Sequence, residues 1–553
     1  MSIWKIRSSN KEARKEISRQ LGISPLVAHI LAVRGIDNPV QAHRFLSPDL
    51  SFLNPPFVLK DMDKAVYLIR KAINSREKIL IHGDYDADGV TASALLAEAL
   101  SRLGAVVEVY LPHRIDDGYG LSISGIDTAV RENCRLVITV DCGITSFEEV
   151  KYAKQKGLGL IITDHHLPVG NKVPEADAVV NPKQESCAYP FKELAGVGVA
   201  FKLVHALTGV IHEDLLDLAA IGTIADIVPL MDENRILVKK GMERISSKPR
   251  PGIKALIQKA SVRRIDVRSV AFMIAPKINA AGRIGSADKA FDLLFSSVEE
   301  KVVSLADALI NANKDRQKIE EDILKEAMSF ASQQKDDSAI VVYGDNWHPG
   351  VIGIVASRIV EQFSRPSFVI SMGESGVGKG SARSVDGINL KSVLERCSLL
   401  LEGFGGHSGA AGFSITRSNL KEFKDQVNLL CADGDMFKEP VLWIDGRICF
   451  DMLSYPVVEA IEGLSPFGEG NPRPVFVAQD VSCAGEVREL AKNSIRFIAK
   501  DKTASLPVIG FGKSYMKDVI ASGRPFDMAF SVSINEYNGS SSLQLELLDI
   551  KQR

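Results

Sequence analysis

The chain has 553 residues, a formal net charge of −2, 45% hydrophobic and 25% charged residues. That length exceeds what one core fills and predicts three or four domains, and the composition is ordinary for a soluble globular protein, with no apolar run near the ~20 residues a bilayer span needs. Seven cysteines without a CxxC pair exclude a disulfide framework and read as reduced thiols of a cytoplasmic protein; Cys142 reads as a packing residue.

Residues 1–60 are mixed, with an apolar helical pattern at 26–33 and prolines at 39, 48, 55 and 56. The opening MSIWKIRSSNKEARKE lacks the apolar region of a secretory signal, and its glutamates argue against a transit peptide. We expect this segment to pack on the domain that follows.

The run KILIHGDYDADGVTASALL (78–96) is the most informative stretch. Ile79, Leu80 and Ile81 read as a buried strand. His82 ends it, and carboxylates follow at alternate positions, Asp84, Asp86 and Asp88, before a helix near Val90. Such a cluster repels itself unless a cation sits among the groups, and oxygen plus imidazole donors suit Mn²⁺ or Mg²⁺. A solvated turn with helix-capping aspartates is the competing reading. Two more apolar strands end in chemistry: 136–140 runs into Asp141-Cys142-Gly143, and 158–163 into Asp164-His165-His166. Strands alternating with helices predict a parallel sheet, whose ligands bind beyond the carboxyl ends of the strands. Asp226 interrupts the apolar AAIGTIADIVPL (219–230), and a buried carboxylate there needs a partner such as a shared metal.

HGDYDADG, VDCG, DHH and the isolated Asp226, in that order, resemble the four motifs of the DHH phosphoesterase superfamily, each expected at a strand end. The resemblance implies that His82, Asp86 and Asp141 hold one Mn²⁺ or Mg²⁺. Asp88, Asp141, His165 and Asp226 would hold a second, with Asp141 bridging. Asp84 and His166 would lie just outside, positioning water or phosphate, so Asp84, Asp141 and His166 are the catalytic candidates. Two ions of this kind can share an activated water and stabilise both oxygens of an in-line displacement.

Residues 239–268 carry ten Lys/Arg and two acids, Glu243 and Asp266. This stretch reads as a phosphate contact, with a solvated helical face as the alternative. PKINAAGRIG follows (276–285). Residues 298–334 read as one long helix without Gly or Pro, a strut between domains or a plain packed helix.

A second α/β domain is expected at 338–437, with two glycine-rich loops, GESGVGKGSARS (373–384) and GFGGHSGAAGF (403–413). Residues 373–379 match the start of a P-loop, but Gly380 stands where Ser/Thr must bind Mg²⁺, and no clear helix follows. GKGSARS and GGHSGAAG instead resemble the DHHA1 domain that accompanies DHH domains. By that resemblance, Arg283 of NAAGR, with Ser381 and Arg383, would bind a terminal 5′-phosphate, and Asn279 of the same motif would contact the substrate. Gly405, Gly406 and His407 would line the scissile site. Lys277 stands where the family more often has Arg, which loses a bidentate fork.

Residues 438–553 shorten into alternating strand-like runs, with Asn538-Gly539 as a hairpin signal, and predict a small β-barrel of the OB-fold kind. The expected architecture is α/β: a parallel-sheet DHH domain with a basic helical part (61–298), a connecting long helix (299–337), a DHHA1 domain (338–437) and a β-barrel (438–553). Within the superfamily this arrangement resembles the single-strand-specific 5′→3′ DNA exonucleases that release mononucleotides in repair and recombination. Shorter members act on oligoribonucleotides or cyclic dinucleotides. The resemblance implies single-stranded DNA as substrate, a helicase and a single-stranded-DNA-binding protein as partners, no membrane, and a monomer.

Overall fold

A computed structural model describes residues 3–432, 441–537 and 540–552. The chain forms two compact units, one of residues 55–226 and 241–438, the other of residues 1–54, 227–240 and 439–553.

In the first unit the apolar runs become a five-stranded parallel sheet. Its order is Val106–Tyr110, Lys78–His82, Cys134–Val140, Gly159–Thr163, Ala178–Val180. The chain leaves Lys78–His82 for one neighbour and later returns on the opposite side as Cys134–Val140. That reversal is a switch point, where the loops splay and a ligand crevice opens. Both strands end in the acidic motifs.

The helix Ala87–Arg102 packs behind the sheet and is buried almost all round. Its small residues let Gly196–Thr208 and Leu216–Ala225 approach closely; a Cβ on Gly222 would lie 2.4 Å from Thr91 Oγ1. This close packing positions Asp226, which caps the helix Leu216–Ala225. Asp226 was expected at a strand end; its run is instead the helix Leu216–Ala225, packed on Ala87–Arg102 and Gly196–Thr208.

The 34-residue helix Glu299–Ser332 follows the expected span. It packs on Ala275–Ile284 and on Ile352–Phe363, tying the two halves of this unit together. The second sheet has the order Leu401–Gly406, Ala410–Thr416, Val377–Arg383, Ser367–Met372, Ile340–Asp345, with only the last pair parallel. Both glycine-rich segments, expected as loops, are largely strand. Gly380 explains part of this: a Cβ there would sit 2.2 Å from the Phe413 ring across the ladder, so the glycine makes room for core packing. The P-loop-like segment is the hairpin between Ser367–Met372 and Val377–Arg383, with no helix after it.

The other unit contains a seven-stranded sheet ordered Gly446–Arg447, Phe476–Cys483, Phe526–Tyr537, Ser540–Gln552, Ser505–Gly510, Ser494–Lys500, Arg488–Leu490. An added pairing of Phe476–Cys483 with Ser494–Lys500 closes it into a barrel. The signal at Asn538-Gly539 lies outside the described residues. Ile17, Val27, Leu31 and Phe45 share one core with Phe476, Phe497 and Phe530. The N-terminal segment, expected on the DHH-type domain, therefore builds its core with the barrel: its apolar helix faces need cover, and the barrel supplies it.

Candidate metal centre and phosphate cradle

Asp141 begins the site. It follows strand Cys134–Val140 with φ 63, a left-handed conformation that aspartate tolerates better than most side chains. Gly143 at φ 108 completes the turn, which lifts the carboxylate beyond the strand end. Asp86 caps Ala87–Arg102, its Oδ1 accepting the N–H groups of Asp88 and Gly89. The helix-capping reading of the motif is therefore realised at Asp86. Asp88 accepts N–H bonds from Gly196 (2.7 Å) and Val197 (2.9 Å), at the N-terminus of another helix.

Three groups of donor atoms come together, each within 4.8 Å: Asp84, Asp86 and Asp141; Asp88, His165 and Asp226; Asp141, His165 and His166. His165 Nε2 lies 3.2 Å from Asp141 Oδ1 and 3.5 Å from Asp226 Oδ2. Asp141 Oδ1 and both ring nitrogens of His165 are buried without a hydrogen-bond partner. Buried polar atoms are rarely orphaned, and these converge on one another. Hard oxygens with imidazole fit Mn²⁺ or Mg²⁺, and the donor set fits two ions sharing Asp141.

The electrostatics point the same way. Burial and then Asp86 push Asp84 up to about 8 and Asp88 up to about 7. Burial and then Asp88 push Asp226 up to about 8 and Asp141 well above the carboxylate range. Four carboxylates that resist ionisation in each other's company are a cation site by construction.

His82 is placed differently from the expected ligand set. It belongs to none of the three groups. It is fully buried, its Nε2 accepts the Ser122 N–H at 3.2 Å, and burial lowers its pKa to about 4. Asp84, expected just outside, takes its place beside Asp86 and Asp141. The ring turns away because Gly125 leaves space against it: a Cβ there would lie 2.4 Å from the imidazole. His166 bonds Asp164 at 2.7 Å and Tyr119 at 3.0 Å. Burial works against its charge, but Asp164, Asp226 and Asp84 together outweigh it and raise its pKa to about 9. It is thus held as a cation facing the carboxylates.

The residues of the expected phosphate site also converge. Arg383 donates to Ser381 Oγ (3.2 Å), and Arg283 donates to the Gly350 carbonyl (3.3 Å). A Cβ on Gly353, in the first turn of Ile352–Phe363, would come 3.1 Å from both Ser381 Oγ and the Arg383 guanidinium. Neither arginine makes an ion pair among the described residues. Burial and then Arg114 lower the pKa of Arg283 to about 10, and the same two causes lower that of Arg383. Two crowded cations against a helix N-terminus form an anion cradle. Beside it lies a cavity of about 350 Å³ lined by Tyr85, Arg114, Tyr119, Ser381, Phe404 and Gly405.

Asn279 accepts the Ala87 N–H at 2.7 Å, so it braces the acidic loop and joins the cradle's helix Ala275–Ile284 to it. Gly406 lies in the strand Leu401–Gly406 with φ 139, and His407 follows it, exposed, close enough for His166 to depress its pKa after burial. Lys277 donates to the Met273 carbonyl one turn earlier.

Sequence reasoning missed Arg114, Tyr119 and Gly196. Arg114 stacks on Tyr85 (4.9 Å to the ring centre) in the loop after Val106–Tyr110. Its position beyond another strand end of the same sheet was the available signal. A Cβ on Gly196 would be 2.4 Å from Asp141 Oδ1, a constraint only the fold exposes.

Residues 78–223 match the DHH family N-terminal domain, 336–433 the DHHA1 domain and 444–549 the RecJ OB domain. The single-stranded-DNA-specific exonuclease RecJ of Bacillus subtilis is 40% identical over 99% of this chain and 70% of its own length. That of Haemophilus influenzae is 35% identical over 96% of this chain and 97% of its own. The chain belongs to the RecJ family. The crystal structure of Thermus thermophilus RecJ with Mn²⁺ superposes with a TM-score of 0.86 at 32% identity, covering all of this chain and 80% of the other. A Mg²⁺ complex of that RecJ is also similar, with a TM-score of 0.80. These ions agree with the donor set built above. This RecJ-family chain is thus a metal-dependent DHH hydrolase.

Proposed function

We propose that the protein is a single-stranded-DNA-specific exonuclease that works from the 5′ end, releasing 5′-mononucleotides by hydrolysis, in repair and recombination. The observation that carries this is a juxtaposition within one compact unit: crowded carboxylates and imidazole that suit divalent ions, beside two arginines that make no ion pair among the described residues.

Each residue then has a task. Arg283, Ser381 and Arg383 bind the terminal 5′-phosphate, with N–H groups of the helix Ile352–Phe363 at its base. Asp84, Asp86 and Asp141 would hold one divalent ion, and Asp88, Asp141, His165 and Asp226 the other. When bound, these ions supply an activated water and neutralise charge developing on the phosphate. His166, kept protonated by Asp164, offers a charge-assisted donor to a phosphate oxygen. Asn279 fixes the spacing between cradle and metal loop, so the bond presented is the one next to the terminal phosphate. Gly405, Gly406 and His407 would line that bond.

No helix among the described residues is long and apolar enough to cross a membrane. A cytoplasmic monomer is the simplest form of this reading. An enzyme restricted to single strands needs duplex opened for it, so a helicase is the partner it requires. A single-stranded-DNA-binding protein would hold the opened strand.

The test is digestion of end-labelled DNA with Mn²⁺, comparing a 5′-phosphorylated single strand, its duplex and a dinucleotide. Mononucleotides released progressively from the 5′ end of the single strand alone support the proposal. Cleavage confined to the dinucleotide would overturn it in favour of a small-substrate phosphoesterase.

A further inference from the structure

The segment LSPFGEGNPRP (464–474) belongs to neither the metal centre nor the phosphate cradle. It folds into a tight turn in which Gly468 and Asn471 exchange backbone hydrogen bonds at 3.0 and 3.2 Å. The fully buried Asn471 side chain donates back to the carbonyls of Leu464 and Pro466, which fixes the approach to the turn. What this turn holds is the chain just after Asp226. The Leu230 N–H donates to the Glu469 carbonyl at 2.8 Å. The turn carries no side chain where that chain passes: a Cβ on Gly468 would lie 2.7 Å from Leu230, and one on Gly470 3.0 Å from Pro229. Arg235 completes the grip. It is 1% exposed, and its guanidinium donates to the carbonyls of Phe45, Leu464 and Ser465 at 2.8, 2.9 and 2.8 Å. Its neighbour Asn234 donates to the Pro229 carbonyl at 3.0 Å.

Asp226 is fixed from the other side. It caps Leu216–Ala225, and its N–H donates to the Gly222 carbonyl at 2.9 Å. Between the two anchors stands Ile227, with φ 60 and 71% exposed. Left-handed backbone is unfavourable for a β-branched residue, and a side chain this exposed gains little packing in return. Such conformations persist only where the surroundings impose them, and they cluster at functional sites. Here a helix end imposes it on one side and the turn with Arg235 on the other. Released from either, Ile227 would relax to negative φ and swing the Asp226 carboxylate out of place.

We propose that the 464–474 turn and Arg235 position Asp226: they hold Ile227 in its left-handed conformation and so keep the Asp226 carboxylate 3.5 Å from His165. This rests on the reading of Asp88, Asp141, His165 and Asp226 as the ligands of one divalent ion. It makes the affinity for that ion the property the turn controls. Arg235 touches neither ion nor DNA in this account and is a positioning residue.

The experiment is calorimetric titration of the full-length, metal-free protein with Mn²⁺ in the absence of DNA, with metal-free melting temperatures alongside. Ile227→Pro, whose ring excludes positive φ, should weaken one of two Mn²⁺ sites at least tenfold and spare the other. Ile227→Asn, which tolerates left-handed backbone, should keep both affinities and raise the melting temperature. Gly470→Ala and Arg235→Lys disturb the grip from its two sides, and each should weaken the same site about tenfold. A turn that serves stability alone would lower the melting temperature of these two variants and leave both affinities as in the wild type, which would overturn the proposal. Equal loss in Ile227→Asn and Ile227→Pro would overturn it too. Wild-type protein that binds only one Mn²⁺ would instead overturn the two-ion reading on which the proposal rests.

Discussion

Two sets of buried arginine in one unit behave in opposite ways. Arg250 is withdrawn from water against Asp217 and Glu98 at 3.0 and 3.1 Å; burial opposes its charge, but Asp217 and Glu98 together outweigh it and raise its pKa. Arg283 and Arg383 are withdrawn against carbonyls, a hydroxyl and each other's neighbourhood, and burial lowers theirs. The first arrangement is complete and supports the fold. The second is complete only with an anion. The same contrast separates Asp217, paired and fully buried, from Asp141, fully buried with an orphaned oxygen. A charge that the fold leaves unbalanced marks the place where a ligand balances it.

The largest expected effect tests the carboxylate half. Asp141→Ala removes the ligand shared by both metal groups and should cost at least about 10³-fold in kcat on single-stranded DNA. Asp141→Asn should also stabilise the metal-free fold, because it relieves crowding; a drop in metal-free melting temperature would argue that Asp141 is structural like Asp217. Arg250→Ala should do the reverse: it leaves Asp217 buried without its cation and should destabilise by about 3–5 kcal/mol in urea melts. Full stability there would break the contrast at its structural end.

A pH series sharpens it further. Asp84, Asp88 and Asp226 have folded pKa values of about 8, 7 and 8, above the ordinary value of 3.8. Between about pH 4 and 8 the metal-free folded state therefore holds more protons than the unfolded chain, and its stability falls as pH rises through that window. Divalent ions bind the deprotonated form, so the stabilisation by Mn²⁺ should grow over the same range. Metal-free melting temperatures that rise from pH 5 to 8, after the ordinary titrations are matched in Asp141→Asn, would contradict the crowded-cluster account.

Much of this was legible in the sequence because it is local. Strand runs ending in Asp84, Asp141 and His165 fix both the parallel sheet and the edge where the donors meet, and the glycine-free run fixes the long helix. What escaped depended on packing between distant segments. Asp226 caps a helix because Gly222 lets that helix press on Thr91. His82 turns to Ser122 because Gly125 makes room. Ser381 and Arg383 lie on a strand, since Gly380 accommodates Phe413. The N-terminal segment chose the barrel for reasons no local pattern records. The basic stretch was read as one feature, whereas only the fold tells the buried Arg250 from the exposed Arg268.

The most direct test of the central claim, that the unbalanced arginines await a terminal phosphate, is the ratio of kcat/KM for 5′-phosphoryl over 5′-hydroxyl single-stranded DNA in wild type and Arg383→Ala. The loss of one charge-assisted contact, roughly 2 kcal/mol, predicts that the variant slows about 30-fold on the phosphorylated strand, hardly at all on the hydroxyl strand, and with unchanged stability. An equal loss on both strands, or no phosphate preference in the wild type, would contradict it.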